Sequence, residues 1–289
     1  MISIIIPTYN RKSVLEKTLP SYLEQMNIKE IIIVDDGSTD STSTLIQEYL
    51  SLDERIKYIR LDTHSGAPFA RLTGIKNATG EYILFGEDDV EFDPNYSYNL
   101  LRCLYNNCAD IVAGRIIYLK NDEHYNGALT RCDKLKDELI NWNTLEGNFQ
   151  ITVPKATEVP FVHACFLIKR DIYSKIQYDI NYFGNGYREE TDPQISALKQ
   201  GAKIYFCPQA ICYHLPRDIT LQGGQRTMNY VEYNYWMFKN NTYFLNKHYS
   251  FLKERYGLKP KTFLMLSLLI ERMKIITLSP IKYLRSLYS

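Results

Sequence analysis

The segment Glu81–Pro94, EYILFGEDDVEFDP, changes character at a single residue. Tyr82 to Phe85 is a short apolar run of β-forming residues, the composition of a buried central strand. Gly86 ends it, and Glu87, Asp88 and Asp89 follow without a spacer. Three carboxylates at the end of a buried strand repel one another and are costly to desolvate. A divalent cation relieves that cost. Hard oxygen ligands suit Mg²⁺ or Mn²⁺, ions commonly shared with substrate phosphates. The same residues also fit a solvated acidic turn before a helix, with Asp93 as N-cap and Pro94 at N1. The segment alone leaves both readings open.

Upstream, the same switch from apolar strand to polar loop occurs twice. Ile2 to Ile6 is β-branched and apolar, is ended by Pro7, and gives way to Thr8-Tyr9-Asn10. Glu30 to Val34 is a second such strand, followed by Asp35-Asp36-Gly37-Ser38-Thr39-Asp40. Helical spacing runs from Arg11 to Met26, with Pro20 expected to bend or split it. A second helix is expected over Ser41 to Leu50, capped by Ser38 or Asp40. A third strand spans Ile56 to Arg60, then a loop at His64 to Pro68 and a helix from Phe69 to Asn77 stopped by Gly80. Alternating strands and helices with near-continuous apolar strands predict a mostly parallel sheet flanked by helices. In such sheets ligands bind beyond the carboxyl ends of the strands. Three loops are therefore expected to be neighbours: Pro7 to Arg11, Asp35 to Asp40, and Glu87 to Asp89.

Downstream, strands are expected at Asp110 to Tyr118, weakened by Gly114, and at Val159 to Ile168. Lys120 to Pro154 is polar and irregular, and reads equally as a mobile loop over the site or a surface insertion. Short helices are expected at Arg170 to Ile176 and Glu189 to Gln200, the second opening with acids that suit its N-terminal end. Lys203 to Cys207 and Ala210 to His214 read as two strands parted by Pro208. From Gly223 the chain turns aromatic and basic, with helical spacing over Tyr230 to Tyr256. Thr262 to Tyr283 is apolar but interrupted by charge, short of a membrane span. It fits an amphipathic helix on a bilayer, on a partner, or on its own domain. The expected division is a catalytic domain over 1–222 and a helical extension over 223–289.

The chain has 289 residues and a net charge of +1, which implies no general attraction to nucleic acid. Its six cysteines show no CxxC pair and read as reduced thiols of a cytosolic protein. No secretory signal is expected, because Met1 runs directly into a strand.

Several of these stretches together resemble glycosyltransferase family 2. They are Ile4 to Arg11, Val34 to Asp40, Gly66 to Tyr82 with its Ala70-Arg71 and Gly74-Ile75, Asp88-Asp89 with Pro94, Glu189 to Asp192, Gly201, and Tyr213-His214. They occur in the family's order over about residues 1 to 250. The resemblance implies a GT-A fold, a nucleotide-sugar donor, Mn²⁺ or Mg²⁺, and an inverting transfer. It implies that Pro7, Thr8, Tyr9 and Arg11 line the donor pocket, with Tyr9 against the base. By the same likeness Asp36 accepts a bond from a pyrimidine N–H, and Arg71 helps hold the donor. Asp89 and His214 reach the metal, and Asp88 contacts the ribose or the metal. Glu190 falls on the family's base position, with Glu189 and Asp192 as alternatives. Glu87 departs from the family's aspartate at the first position of its acidic motif.

The chemistry needs such groups. A departing diphosphate gains charge that a cation and an arginine offset, and the incoming hydroxyl must lose a proton to a nearby base. The expected donor is a UDP- or dTDP-sugar. The expected acceptor is a glycan, glycolipid or glycoprotein at the cytosolic face of a membrane, with peripheral membrane contact through the C-terminal helices. The alternatives are a nucleotidyltransferase acting on sugar phosphates and a catalytically weak glycan-binding subunit.

Overall fold

A computed structural model describes residues 1–173, 178–220 and 228–287, with side chains described up to residue 274. The N-terminal part alternates strands and helices: β1 (Ile2–Thr8), α1 (Lys12–Leu23), β2 (Ile28–Asp35), α2 (Thr42–Leu50), β3 (Ile56–Arg60), α3 (Ala67–Asn77) and β4 (Tyr82–Phe85). Then come β5 (Val90–Phe92), α4 (Tyr96–Asn106), β6 (Ile111–Tyr118) and α5 (Tyr125–Asp133). A small hairpin joins β7 (Ile140–Asn141) to β8 (Glu146–Gly147). The chain continues through β9 (Thr157–Glu158), β10 (Phe166–Lys169), α6 (Arg170–Tyr173), α7 (Thr191–Lys199), β11 (Ile204–His214), α8 (Tyr230–Tyr256) and α9 (Lys261–Leu287).

The main sheet runs β3-β2-β1-β4-β10-β6-β11-β5, with β9 added on β11. β1, β2, β3 and β4 are parallel, and β6 and β11 run the same way. β10, β5 and β9 are reversed. The isoleucines of β1 and β2 and all of β4 are buried, as their unbroken apolar composition requires. Each such side chain contributes about 1.5 to 3 kcal/mol by leaving water. Helices flank the sheet: α3 packs on β1 and β2, α4 on β6, β10 and β11, and α1 against β5. This is the mostly parallel, helix-flanked sheet expected from the sequence.

Several local expectations differ from the structure. α1 runs through Pro20 without splitting. The segment after Asp89 forms β5, an edge strand on β11, so α4 starts at Tyr96 instead of Pro94. Asp93 Oδ1 instead accepts the Asn95 amide at 3.0 Å. Asp40 does hold the start of α2, accepting the Thr42 amide at 3.0 Å. The strand expected over Val159 to Ile168 shortens to Phe166–Lys169 and is antiparallel to both neighbours. The helix expected to reach Ile176 is described to Tyr173; its remainder, and the domain boundary at 222/223, lie outside the described residues.

Pro208 does not divide two strands. β11 is one strand with a register shift: Phe206 pairs Ala113 and Ile211 pairs Arg115, so Cys207 to Ala210 lie opposite Gly114 alone. That bulge accommodates a residue with no amide hydrogen. It also explains Gly114, since a Cβ there would sit 2.1 Å from the Ala210 carbonyl oxygen.

Candidate active site

The three expected loops meet at the carboxyl ends of β1, β2 and β4, and β11 brings His214 to them. They line a cleft of about 850 Å³ with Pro7, Thr8, Tyr9, Arg11, Asp36, Arg71, Glu87, Asp88, Asp89, Glu189 and His214 among its walls. His64 to Ala70 closes one side, and Ile180 and Phe183 form part of the mouth.

At the centre lies Arg11, almost wholly buried. Its Nη1 donates to Asp88 Oδ1 at 2.6 Å and to Asp89 Oδ2 at 3.0 Å, and its Nη2 donates to the Thr220 carbonyl at 2.9 Å. Thr8 Oγ1 donates to Asp88 Oδ2 at 2.9 Å. The Asp88 carbonyl accepts from Thr18 on α1, and the Asp89 carbonyl accepts the Leu215 amide at 2.9 Å. The acidic turn is thus fixed from both sides. His214 Nε2 stands 3.6 Å from Asp89 Oδ2, its Nδ1 is 2.8 Å from the Leu215 carbonyl, and its ring stacks on Tyr118.

The second centre is Arg71, buried on α3. Nη1 donates to Glu189 Oε1 at 2.7 Å, and Nη2 reaches Glu87 Oε1 at 3.2 Å. Its Nε is buried with no hydrogen-bond partner among the described residues. Burial pushes Glu87 up to about 8, Asp88 to about 6 and Glu189 to about 7, while Arg11 or Arg71 pulls each back. Crowding by further carboxylates adds to each rise. Burial and mutual crowding therefore favour the protonated forms of these carboxyls more than the two arginines offset.

Asp36 is held by the loop after β3. Its Oδ1 accepts the Ser65 amide and its Oδ2 the Gly66 amide, both at 2.7 Å. His64 Nδ1 lies 2.8 Å from Oδ2, and the His64 ring stacks on Tyr9 with centroids 3.9 Å apart. The ring face expected to meet a base is therefore covered by an imidazole. His64 was read in the sequence only as part of a loop. No local pattern reveals that this loop folds back onto Asp36.

The three base candidates separate. Glu189 lines the cleft but is tied to Arg71. Glu190 is half-buried at the N-cap of α7, with its charge felt at Glu87, Arg71 and Tyr118. Asp192 is fully buried and faces α8, where Lys247 Nζ lies 2.7 Å from Oδ2, His248 binds Oδ1, and the Tyr182 hydroxyl donates to Oδ1 at 3.2 Å. Neither Asp192 nor Glu190 is among the residues lining the cleft; of the three, Glu189 alone is.

Among the described residues no three His, Cys, Asp or Glu side chains are grouped to hold an ion by themselves. Asp89 and His214 nonetheless form an oxygen-nitrogen pair at the cleft wall, beside the crowded carboxyls of Glu87 and Asp88. That donor set suits Mn²⁺ or Mg²⁺ completed by phosphate oxygens, the usual habit of these ions.

A mostly parallel sheet flanked by helices, with an acidic cleft at its strand ends, is the GT-A architecture. The chain belongs to glycosyltransferase family 2: the model of that family, "Glycosyl transferase family 2", matches residues 3–177. The chain is 32% identical over 166 residues to the putative teichuronic acid biosynthesis glycosyltransferase TuaG of Bacillus subtilis, covering 53% of this chain and 66% of that one. It spans less than two thirds of the length of the curated relatives it matches. Its fold is similar to that of S. aureus TarS 1-349 in complex with UDP-GlcNAc, with a TM-score of 0.60 at 19% identity over 88% of this chain and 74% of the other. It is also similar to GalNAc-T7 with UDP, GalNAc and Mn²⁺, with a TM-score of 0.64 at 17% identity over 85% and 47% of the two chains. Family membership sets aside the nucleotidyltransferase alternative.

Proposed function

We propose that the protein is an inverting, metal-dependent glycosyltransferase that moves a sugar from a UDP- or dTDP-sugar to a hydroxyl of a glycan, glycolipid or glycoprotein. One observation carries this reading: Arg11, Asp36, Arg71, Asp88, Asp89, Glu189 and His214, far apart in sequence, line one cleft. The proposed division is a donor-binding catalytic domain over 1–222 and a helical extension over 223–289. The proposed acceptor is carried at the cytosolic face of a membrane, as part of cell-envelope polysaccharide synthesis; the name of TuaG supports that setting.

Pro7, Thr8, Tyr9 and Asp36 would receive the nucleoside, with His64 leaving the Tyr9 face. Asp88, fixed by Thr8 and Arg11, would meet the ribose. Asp89 and His214 would hold a divalent ion together with the donor's own diphosphate, and such an ion supplies charge stabilisation for the leaving group. The orphan Nε of Arg71 is a ready donor to a diphosphate oxygen.

Glu190 is the proposed base. It would take the proton of the acceptor hydroxyl as that oxygen bonds to the anomeric carbon. The bond from the anomeric carbon to the diphosphate oxygen breaks, and its electron pair leaves with the nucleoside diphosphate. No protein nucleophile is needed, and the anomeric centre inverts.

The test separates binding from chemistry. Nucleotide sugars are screened by thermal shift with Mn²⁺, because a ligand of the folded state alone raises its melting point. Asp89→Ala is expected to lose metal-dependent donor binding. Glu190→Gln is expected to keep donor binding and lose transfer by about 10²-fold or more. Normal transfer by both variants would overturn the proposal.

A further inference from the structure

The helix α9 is apolar on two sides. Leu264 and Leu268 point inward and are buried. On the outer side Phe263, Leu266, Ile270 and Met273 recur at spacings of three and four, joined by Leu269, and all are exposed; Leu266 is 55% and Met273 54% accessible. A surface helix ordinarily turns polar residues outward. The stripe here belongs against an apolar medium.

Charge identifies that medium. Residues 253–289 carry eight Lys or Arg and two Glu, a net charge of +6 in a chain whose total is +1. Lys259 lies against the edge of the stripe, its Nζ 4.3 Å from the centre of the Phe263 ring. A second copy of this chain would bring an equally positive segment to the contact in a two-fold dimer. Anionic lipid headgroups complement it, and each nearby basic residue contributes about 1 kcal/mol of attraction. No helix among the described residues is long and apolar enough to cross a membrane, so the helix would lie along the surface.

The stripe also connects to the cleft. The Tyr230 hydroxyl donates to the Arg272 carbonyl at 3.3 Å, tying the start of α8 to α9. From there α8 exposes Val231 and Tyr235. The Tyr235 ring is 5.3 Å from that of Trp236, which is 6.4 Å from Phe183 at the cleft mouth. Trp236 lies directly on Gly184, where a Cβ would come within 2.2 Å of the indole.

We propose that the outer face of α9 and the exposed start of α8 form a docking surface for an anionic bilayer, and that the aromatic path through Trp236 leads from that surface to the cleft. This deepens the proposed function and rests on it only for the purpose of docking. Vesicle binding is therefore measured without donor or acceptor, so either reading can fail alone.

The full chain is floated with vesicles of phosphatidylglycerol and phosphatidylcholine, and with phosphatidylcholine alone. Binding is expected only to the anionic vesicles, weakening as salt rises. L266D/I270D is expected to abolish flotation while keeping the wild-type melting temperature and nucleotide binding. K259Q/K261Q is expected to weaken it about tenfold or more. Three results would overturn the proposal: no flotation with phosphatidylglycerol, equal flotation of L266D/I270D, or a wild-type dimer in sedimentation that L266D/I270D converts to monomer.

Discussion

Lys247, in the middle of α8, holds Asp192, the second residue of α7, through a contact of 2.7 Å between Nζ and Oδ2. α7 begins immediately after Glu189 and Glu190. α8 thus grips the segment that presents the proposed base. Asp192 was a candidate base in its own right, and the two roles give opposite signatures. As a positioning residue, its loss breaks a buried ion pair and costs about 3 to 5 kcal/mol of stability. Asp192→Asn is expected to lower the melting temperature and reduce kcat partially, with donor Kd kept. A variant with wild-type melting temperature and no activity would make Asp192 the base instead. Lys247→Ala, at a half-buried site, is expected to shift the same quantities less.

Arg11 predicts a linkage to metal. Removing it leaves Asp88 and Asp89 without the guanidinium that bridges them. Arg11→Ala is expected to lose about 3 kcal/mol or more in denaturant unfolding. Mn²⁺ should raise the melting temperature of this variant more than that of wild type, because the ion replaces part of the missing charge. Equal Mn²⁺ responses would contradict this account of the cleft.

Glu30 predicts a pH dependence of stability outside the cleft. Burial alone would raise its pKa, but Lys57, the Ser3 hydroxyl and the amide and hydroxyl of Thr79 bind the carboxylate and hold it at about 2. The folded state therefore keeps Glu30 ionised where the unfolded chain takes up a proton. The stabilisation is complete above the ordinary value of 4.5, shrinks as pH falls, and is gone below about 2. It amounts to on the order of 3 kcal/mol at neutral pH. Glu30→Gln should lie below wild type in urea unfolding at pH 7, with the gap narrowing below pH 4.5.

Gly114 predicts a folding defect. A methyl group there meets the Ala210 carbonyl, which is backbone and cannot swing aside. Gly114→Ala is expected to cost about 3 kcal/mol or more, from forced separation of β6 and β11. Insoluble expression or a large drop in melting temperature fits this; a wild-type melting temperature does not.

The N-terminal strands and the loops at their ends were legible because composition and position agree there. Ile2 to Ile6, Glu30 to Val34 and Tyr82 to Phe85 are apolar strands that turn polar at the same end, and a parallel sheet aligns those ends. The direction of β10 was not legible, because Phe166 to Lys169 pairs equally well either way from its composition. Nor was the bulge in β11: Pro208 signals a break in any strand, and only the partner Gly114 shows that the strand continues. The grip on Asp192 depends on Lys247 and His248, more than fifty residues later. No window of local sequence contains both halves of that contact.

The contact between Asp192 and α8 also sets an order of events during synthesis. The ribosome releases the N-terminal loops of the cleft first, and Asp192 emerges before Lys247 and His248 exist. A nascent chain therefore carries the proposed base segment before the helix that holds Asp192 has been made. Premature termination ahead of that helix is expected to leave Asp192 without Lys247 and His248 and to lower turnover at the proposed base.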